Sequence, residues 1–318
     1  MTETMKVRLS AGTAAVAGLN TLRQRTAPQT AYLLVGGACA GQCAFCPQAE
    51  TSQGPSDFLS RISWPQFPWT QARQALVGAI QKGRFRRVCL QVTQNPDSDS
   101  LLESLIRSLA KLGVPISMSR SPEGVVDVEK WAGLGIERMG LPIDAATAPI
   151  YKRIKGGRWE QALDGLEKAA RLLPGRVSTH LIVGLGESEE EAVAFLKNMV
   201  GLNVNVGLFA LTPIKGTPLA ETPQPPLGSY RRIQVARHLL AHGIGSGDFL
   251  FSQNRLVDFG MDQADLGRIL ESGEAFMTTG CPECNRPYYN ERPRGDMYNY
   301  PHRLDGDEVK ACLLQMSQ

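Results

Sequence analysis

Short apolar segments alternate with amphipathic ones along most of this chain, and that alternation constrains the fold more than any other feature. Segments 32–35, 87–92, 116–118, 136–141, 177–183, 204–211 and 249–251 are of strand length and rich in Val, Leu and Ile. Between them, 71–80, 101–112, 125–134, 159–170, 188–200 and 230–242 carry helical patterns. Trp159, Ala162, Leu163, Leu166, Ala169 and Ala170 share one face at 3.6-residue spacing, and Ser188 with Glu191 forms a capping box. Repeated β-then-α units with short connections mean a parallel sheet with right-handed crossovers. Seven such strands predict an α/β fold, a TIM-type (β/α) barrel, complete or slightly open. Chemistry in such barrels sits at the C-terminal ends of the strands. The organisation expected is a helical N-terminal segment over 1–28, the barrel over 29–272 and a C-terminal extension over 273–318. The extension is rich in Pro, Arg, Tyr and Asn, lacks periodicity, and is expected to close the barrel mouth.

The cysteines say what the barrel holds. There are seven in 318 residues, an odd and clustered set, which fits metal ligation in a reducing cytoplasm better than a disulfide framework. Cys39, Cys43 and Cys46 follow the first strand as C-x3-C-x2-C, with the aromatic Phe45 just before the last thiol. Three thiols in eight positions can wrap one [4Fe–4S] cube. Such a cube normally takes four thiolates, so one iron is left open to a substrate or cofactor. Zinc sites instead use C-x2-C pairs with four protein ligands. The net charge of +3 leaves no basic excess for nucleic acid. No apolar run is long enough for a membrane span, and 1–9 lacks the apolar core of a secretion signal.

Other motifs fall at strand ends. Ile182-Val183-Gly184-Leu185-Gly186-Glu187 leads from strand to helix, as an ordinary turn or as glycines that admit a ligand close to the backbone. Asp144, just past the fourth strand, is placed to accept hydrogen bonds from a ribose or to cap the next helix. In the extension, Cys281-Pro282-Glu283-Cys284 is a second metal-like knuckle, followed by Cys312. It reads either as a structural zinc site completed by His302 or Cys312, or as a second iron–sulfur cluster to which Cys89 also reaches. Cys89 alone also reads as a buried free thiol.

The Cys39–Cys43–Cys46 run resembles the signature of the radical S-adenosylmethionine (SAM) enzymes. The resemblance implies SAM on the open iron, cleaved by an electron from the cluster to a 5′-deoxyadenosyl radical. It implies SAM contacts at Phe45, Asp144, Ile182, Gly184, Gly186 and Glu187. Cys46-Pro47-Gln48, Val183 to Glu187 and Lys215-Gly216-Thr217-Pro218-Leu219 are similar to motifs of biotin synthase over about residues 30–220. In that family Cys89 would be one ligand of an auxiliary [2Fe–2S] cluster. Here Met118 and Ser119, and Ser178, stand where further cysteines are expected, and Phe209 where a substrate-holding Asn is expected. The resemblance therefore does not extend to that cluster or to biotin.

The core together with the tail run from Thr279 to Pro293 resembles the two-component lipoyl synthases. That family implies sulfur insertion at two carbons of an octanoyl chain, with a second [4Fe–4S] cluster as sulfur donor on Cys281, Cys284, Cys312 and Cys89. It implies an octanoylated lipoyl carrier protein, a second radical SAM subunit, and an electron donor such as ferredoxin or flavodoxin. Arg286, Arg292 and Arg294 would meet an acidic carrier surface or pair locally with Glu283 and Glu291. The N-terminal cysteine motif and C-terminal serine-rich motif of single-chain lipoyl synthases are missing here. Two other readings stand beside this one: a mutase or maturase with one essential cluster, and a non-catalytic iron–sulfur carrier.

Overall fold

The computed structural model describes residues 5–95, 98–123, 127–291 and 295–318. In chain order the elements are β1 (Lys6–Leu9), α1 (Ala11–Val16), β2 (Thr30–Val35), β3 (Phe58–Leu59), β4 (Ile62–Ser63), β5 (Gln66–Pro68), α2 (Trp69–Gln81) and β6 (Arg87–Val92). Next come α3 (Ser98–Leu109), β7 (Ile116–Ser119), α4 (Val128–Gly133), β8 (Ile136–Gly140), α5 (Ala148–Lys155), α6 (Trp159–Leu172), β9 (Val177–Val183) and α7 (Glu189–Gly201). The chain ends with β10 (Asn205–Ala210), α8 (Leu227–His242), β11 (Leu250–Ser252), β12 (Arg255–Asp258), α9 (Gln263–Leu270) and α10 (Gly306–Met316).

Strands β2, β6, β7, β8, β9 and β10 pair in parallel in that order. β2 is buried along its whole length, as a strand covered on both faces must be. Helix starts and stops follow local chemistry. Ser188 and Glu191 form the expected capping box on α7, and Gly156 at φ +73° ends α5.

Two expectations need correction. Segment 1–28 is not simply helical. Lys6-Val7-Arg8-Leu9 alternates outward and inward, the period-2 signature of a strand, and β1 adds antiparallel to β2 with β5 beyond it. Segment 249–251 is not a seventh barrel strand, because β11 pairs with β12 in a separate ribbon. The barrel is a six-stranded parallel arc with a seam beside β10.

The C-terminal extension fills that seam. Leu208 N donates to Thr279 Oγ1 at 2.9 Å, and Asn205 Nδ2 to Gly280 O at 2.7 Å. Across the gap, Thr30 Oγ1 donates to Glu283 O at 2.9 Å and Gln29 N to Asn285 Oδ1 at 3.1 Å. Asn205 and Thr30 begin their strands, so the extension enters at the base of the barrel and not at the mouth where it was expected. It then climbs the seam, and Asn290 Nδ2 reaches Ala210 O at 3.0 Å.

Candidate active site: two thiol groups on one cavity

The loop that carries Cys39, Cys43 and Cys46 leaves the C-terminal end of β2, where the barrel rule puts chemistry. Separate segments hold it by backbone bonds. Ala40 N donates to Gln94 O at 2.7 Å, Ala44 N to Ile154 O at 2.7 Å, Leu219 N to Ala44 O at 3.3 Å and Gln53 N to Gly216 O at 2.8 Å. The Lys215–Leu219 motif is thus a clasp on the cysteine loop. Gly216 has φ +87°, and a Cβ there would lie 2.6 Å from Gln53 C and Gly54 N. Gly216→Ala is therefore expected to push the loop aside and lower reconstituted iron at the first site several-fold, read by iron assay and the cluster's visible absorbance.

Burial pushes the Cys43 thiol up to about 11, opposed by the Lys155 ammonium, and the Cys46 thiol up to about 12. Thiols this protonated are inert as free nucleophiles, whereas a metal takes them as thiolates. Gly41 N–H points at Cys39 Sγ at 3.4 Å, a donor aimed at a sulfur that would carry negative charge. Grouping on one fixed loop, burial and donor placement all fit an iron–sulfur cluster. Among the described residues, no three His, Cys, Asp or Glu side chains gather as the ligands of a metal ion. A cubane does not ask for that, since its thiolates bind separate irons.

Inside the barrel lies a cavity of about 180 Å³. Phe45 and Cys46 border it from the mouth, and Cys89, Cys281 and Cys284 border it from the base. The tail knuckle and the strand thiol are therefore brought together. Burial pushes the Cys89 thiol up first, and the neighbouring Cys281 and Cys284 add to it. Gln91 Nε2 lies 3.1 Å from Cys89 Sγ, and Tyr32 Oη lies 3.5 Å from Cys284 Sγ. Strand register sets Cys89 opposite Ser117.

Arg87 fastens the knuckle: its Nε donates to Pro282 O at 3.0 Å and to Glu283 Oε2 at 3.4 Å. Cys312 is not part of this group. It is fully buried on α10 in a second apolar cluster that also holds Phe276 and Tyr300. His302 is engaged by Glu308 at 3.2 Å. The two fourth ligands suggested for a zinc knuckle are thus placed elsewhere.

Asp144 borders the cavity but does not cap a helix; Thr147 is the N-cap of α5. Asp144 extends β8 by one bridge to β9 with φ +68°. Its carboxylate accepts from Lys155 Nζ at 2.7 Å and lies 3.7 Å from His180 Nδ1. Burial alone would raise that carboxyl, yet the Lys155 ammonium and His180 hold it below the usual carboxylate range.

Ile182 borders the cavity, but the glycines after it make close approaches to protein. A Cβ on Gly184 would meet Pro225 and Leu211, and one on Gly186 would meet Arg153. Glu187 accepts from Gly184 N at 2.6 Å and Leu185 N at 3.0 Å, so its carboxylate holds the turn. Burial raises its pKa against those two donors. Glu187→Ala removes both acceptors and is expected to cost about 2–3 kcal/mol in urea unfolding. A cost near zero would show that water replaces them freely.

The Arg286 guanidinium lies 3.8 Å over the Phe209 ring, donates to Thr279 O at 2.7 Å and borders the cavity. Glu283 pairs with Arg87 instead. Arg292 and Arg294 lie outside the described residues. Sequence reasoning missed Lys155 and His180; neither stands in a motif, and each gains meaning from Asp144 across the fold.

The sequence profile of the radical SAM superfamily matches residues 33–199. Biotin synthase of Synechococcus sp. (strain JA-3-3Ab) is 28% identical over 214 residues, 64% of this chain and 66% of that one. Biotin synthase of Halorhodospira halophila is 27% identical over 211 residues, covering 64% and 63%. The match thus spans just under two thirds of these relatives' length. Among solved structures, methylornithine synthase superposes with a TM-score of 0.53 at 15% identity, over 68% of this chain and 62% of its own. A maturase of the [FeFe]-hydrogenase gives 0.54 at 15% identity, over 68% and 50%. These two establish the shared fold. Among the described residues, no helix is long and apolar enough to cross a membrane.

Proposed function

Because the chain belongs to the radical SAM superfamily, we propose that it inserts sulfur into unactivated C–H bonds of an octanoyl chain on a lipoyl carrier protein, as one subunit of a two-component lipoyl synthase. The observation that carries this reading is the single cavity with the Cys46 loop at one end and Cys89, Cys281 and Cys284 at the other. Such a cavity offers one enclosed space bordered by both thiol groups. The likeness to biotin synthases supports the sulfur-insertion class. Ser117, Ser119 and Ser178 face the same cavity, so the second thiol group is completed from the tail and not from the neighbouring strands.

When bound, a first cluster with SAM supplies a hydrogen-abstracting radical and a second cluster supplies sulfur. The chain's own residues position the substrate and keep water out. Phe45, Leu59, Met118, Phe209 and Leu211 give the cavity an apolar wall suited to a hydrocarbon chain. The second synthase subunit, the carrier and a ferredoxin- or flavodoxin-type donor complete the proposal.

The test is anaerobic: reconstituted protein, SAM, a reductant, and an octanoyl-lysyl carrier domain, with and without the second subunit. The expected result is 5′-deoxyadenosine together with a thiolated octanoyl group seen by mass spectrometry. Deoxyadenosine with no sulfur-bearing product from any acyl substrate would move the chain to the mutase or maturase class. No SAM cleavage at all would leave an iron–sulfur carrier.

A further inference from the structure

Lys155 ends α5 with its side chain turned inward and is 8% exposed. Its Nζ donates to Asp144 Oδ2 at 2.7 Å and to Pro142 O at 2.6 Å. A buried ammonium is costly unless a carboxylate and further acceptors meet it, and here they do. The cysteine loop runs alongside. Ala44 N bonds Ile154 O, and a Cβ on Gly156 would touch Gln42 Oε1 at 3.1 Å. Gln42 to Ala44 therefore lies against Ile154 to Gly156, with Lys155 next to Cys43. Other titratable groups at this spot are Glu123, which accepts from Tyr151 Oη at 2.6 Å, and His180 beside Asp144. The pair sits at the wall that the first cluster would occupy, where little water screens its charges.

We propose that Lys155 and Asp144 are positioning residues that set the reduction potential of the cluster on Cys39, Cys43 and Cys46. Lys155 is the fixed cation that favours the reduced, more negative cluster, and Asp144 is the carboxylate that limits that effect. This rests on the assignment of those three thiols to the cluster and is independent of the substrate. The uptake of one electron adds one negative charge beside Cys43. A unit positive charge at a buried neighbour stabilises that state, and a carboxylate bonded to the same ammonium offsets most of the gain.

The experiment is a potentiometric titration followed by electron paramagnetic resonance. It uses the full chain without SAM, in a Cys89→Ser/Cys281→Ser/Cys284→Ser background so that one cluster titrates. Asp144→Asn is expected to raise the midpoint, with a reduced-to-oxidised ratio about tenfold higher at the parent midpoint, equivalent to about 59 mV for one electron. Lys155→Met is expected to lower it. Asp144→Asn/Lys155→Met is expected to fall between the two, near the parent. An unchanged midpoint in both single variants, or shifts of the same sign, overturns the proposal. If Asp144→Asn does not fold by circular dichroism, the sign of the Lys155→Met shift decides. If the parent itself binds no [4Fe–4S] cluster, the cluster assignment fails and the proposal fails with it.

Discussion

Serine at Cys89, Cys281 and Cys284 together is expected to halve the bound iron, from roughly eight to roughly four per chain if each site holds a four-iron cluster. The same variant should still form 5′-deoxyadenosine from SAM, while the sulfur-bearing product falls to background. The two effects separate because the two thiol groups are held independently. The Cys39–Cys46 loop is fastened by Gln94, Ile154, Gly216 and Leu219, none of which belongs to the tail. The second group is fastened from the base by Arg87 and Thr30. Serine keeps the size of the side chain, so the fold should survive with a loss of about 1 kcal/mol per site. Cys312→Ser is the matched control, since that thiol packs in the second apolar cluster away from the cavity. It should lower stability by a similar amount and leave the iron content unchanged. Iron assay with Mössbauer spectra and product analysis read all of this. A triple variant that keeps all its iron, or one that still makes a sulfur-bearing product, would remove the second group from the chemistry.

How much of this was legible in the sequence follows from the range of the forces involved. Strands 87–92 and 177–183 are readable residue for residue because Val88, Leu90 and Val92, and Val177, Leu181, Ile182 and Val183, mark short β-branched and apolar segments between helical patterns. The Cys39–Cys43–Cys46 spacing is local and so survives as a motif. The place of Asp144 just past a strand end is legible, but its partner is not. Lys155 closes a two-turn helix too short to show periodicity, and eleven residues separate it from the carboxylate. The tail's entry at the base was hidden for a related reason. The bonds from Asn205, Leu208, Thr30 and Gln29 to Thr279–Asn285 link segments about 70 to 260 residues apart, and no pattern within either segment encodes them. β1 is legible only locally, because its four alternating residues carry a strand signal that a helical pattern over the whole of 1–28 averages away.

Arg87→Met is expected to destabilise the chain by about 2–4 kcal/mol and to strip iron from the second site while sparing the first. Arg87 is the first residue of β6 and 3% exposed. Its Nη1 donates to Ser117 Oγ at 2.9 Å and to Glu137 Oε2 at 2.5 Å, and its Nε to Pro282 O and Glu283 Oε2. One guanidinium thus ties the bases of β7 and β8 to the Cys281–Cys284 knuckle. Burial would lower its pKa, but the Glu137 carboxylate more than offsets that and keeps it charged. Methionine preserves much of the volume and removes every one of those bonds. The Glu137 and Glu283 side chains are each about a third exposed, so water can reach them after the change. The cost therefore stays below that of leaving a fully buried charge without a partner. What is lost is the register of the knuckle, and with it the approach of Cys281 and Cys284 to Cys89. Arg87→Lys keeps the charge but has no planar fork to span a carbonyl and two carboxylates, so its iron content should fall between the two. Urea unfolding gives the stability, and iron per chain with Mössbauer spectra gives the occupancy of each site. If Arg87→Met loses stability yet keeps full iron at the second site, the knuckle is held by the seam contacts of Thr279, Gly280 and Asn285 alone, and Arg87 serves the barrel base and not the site.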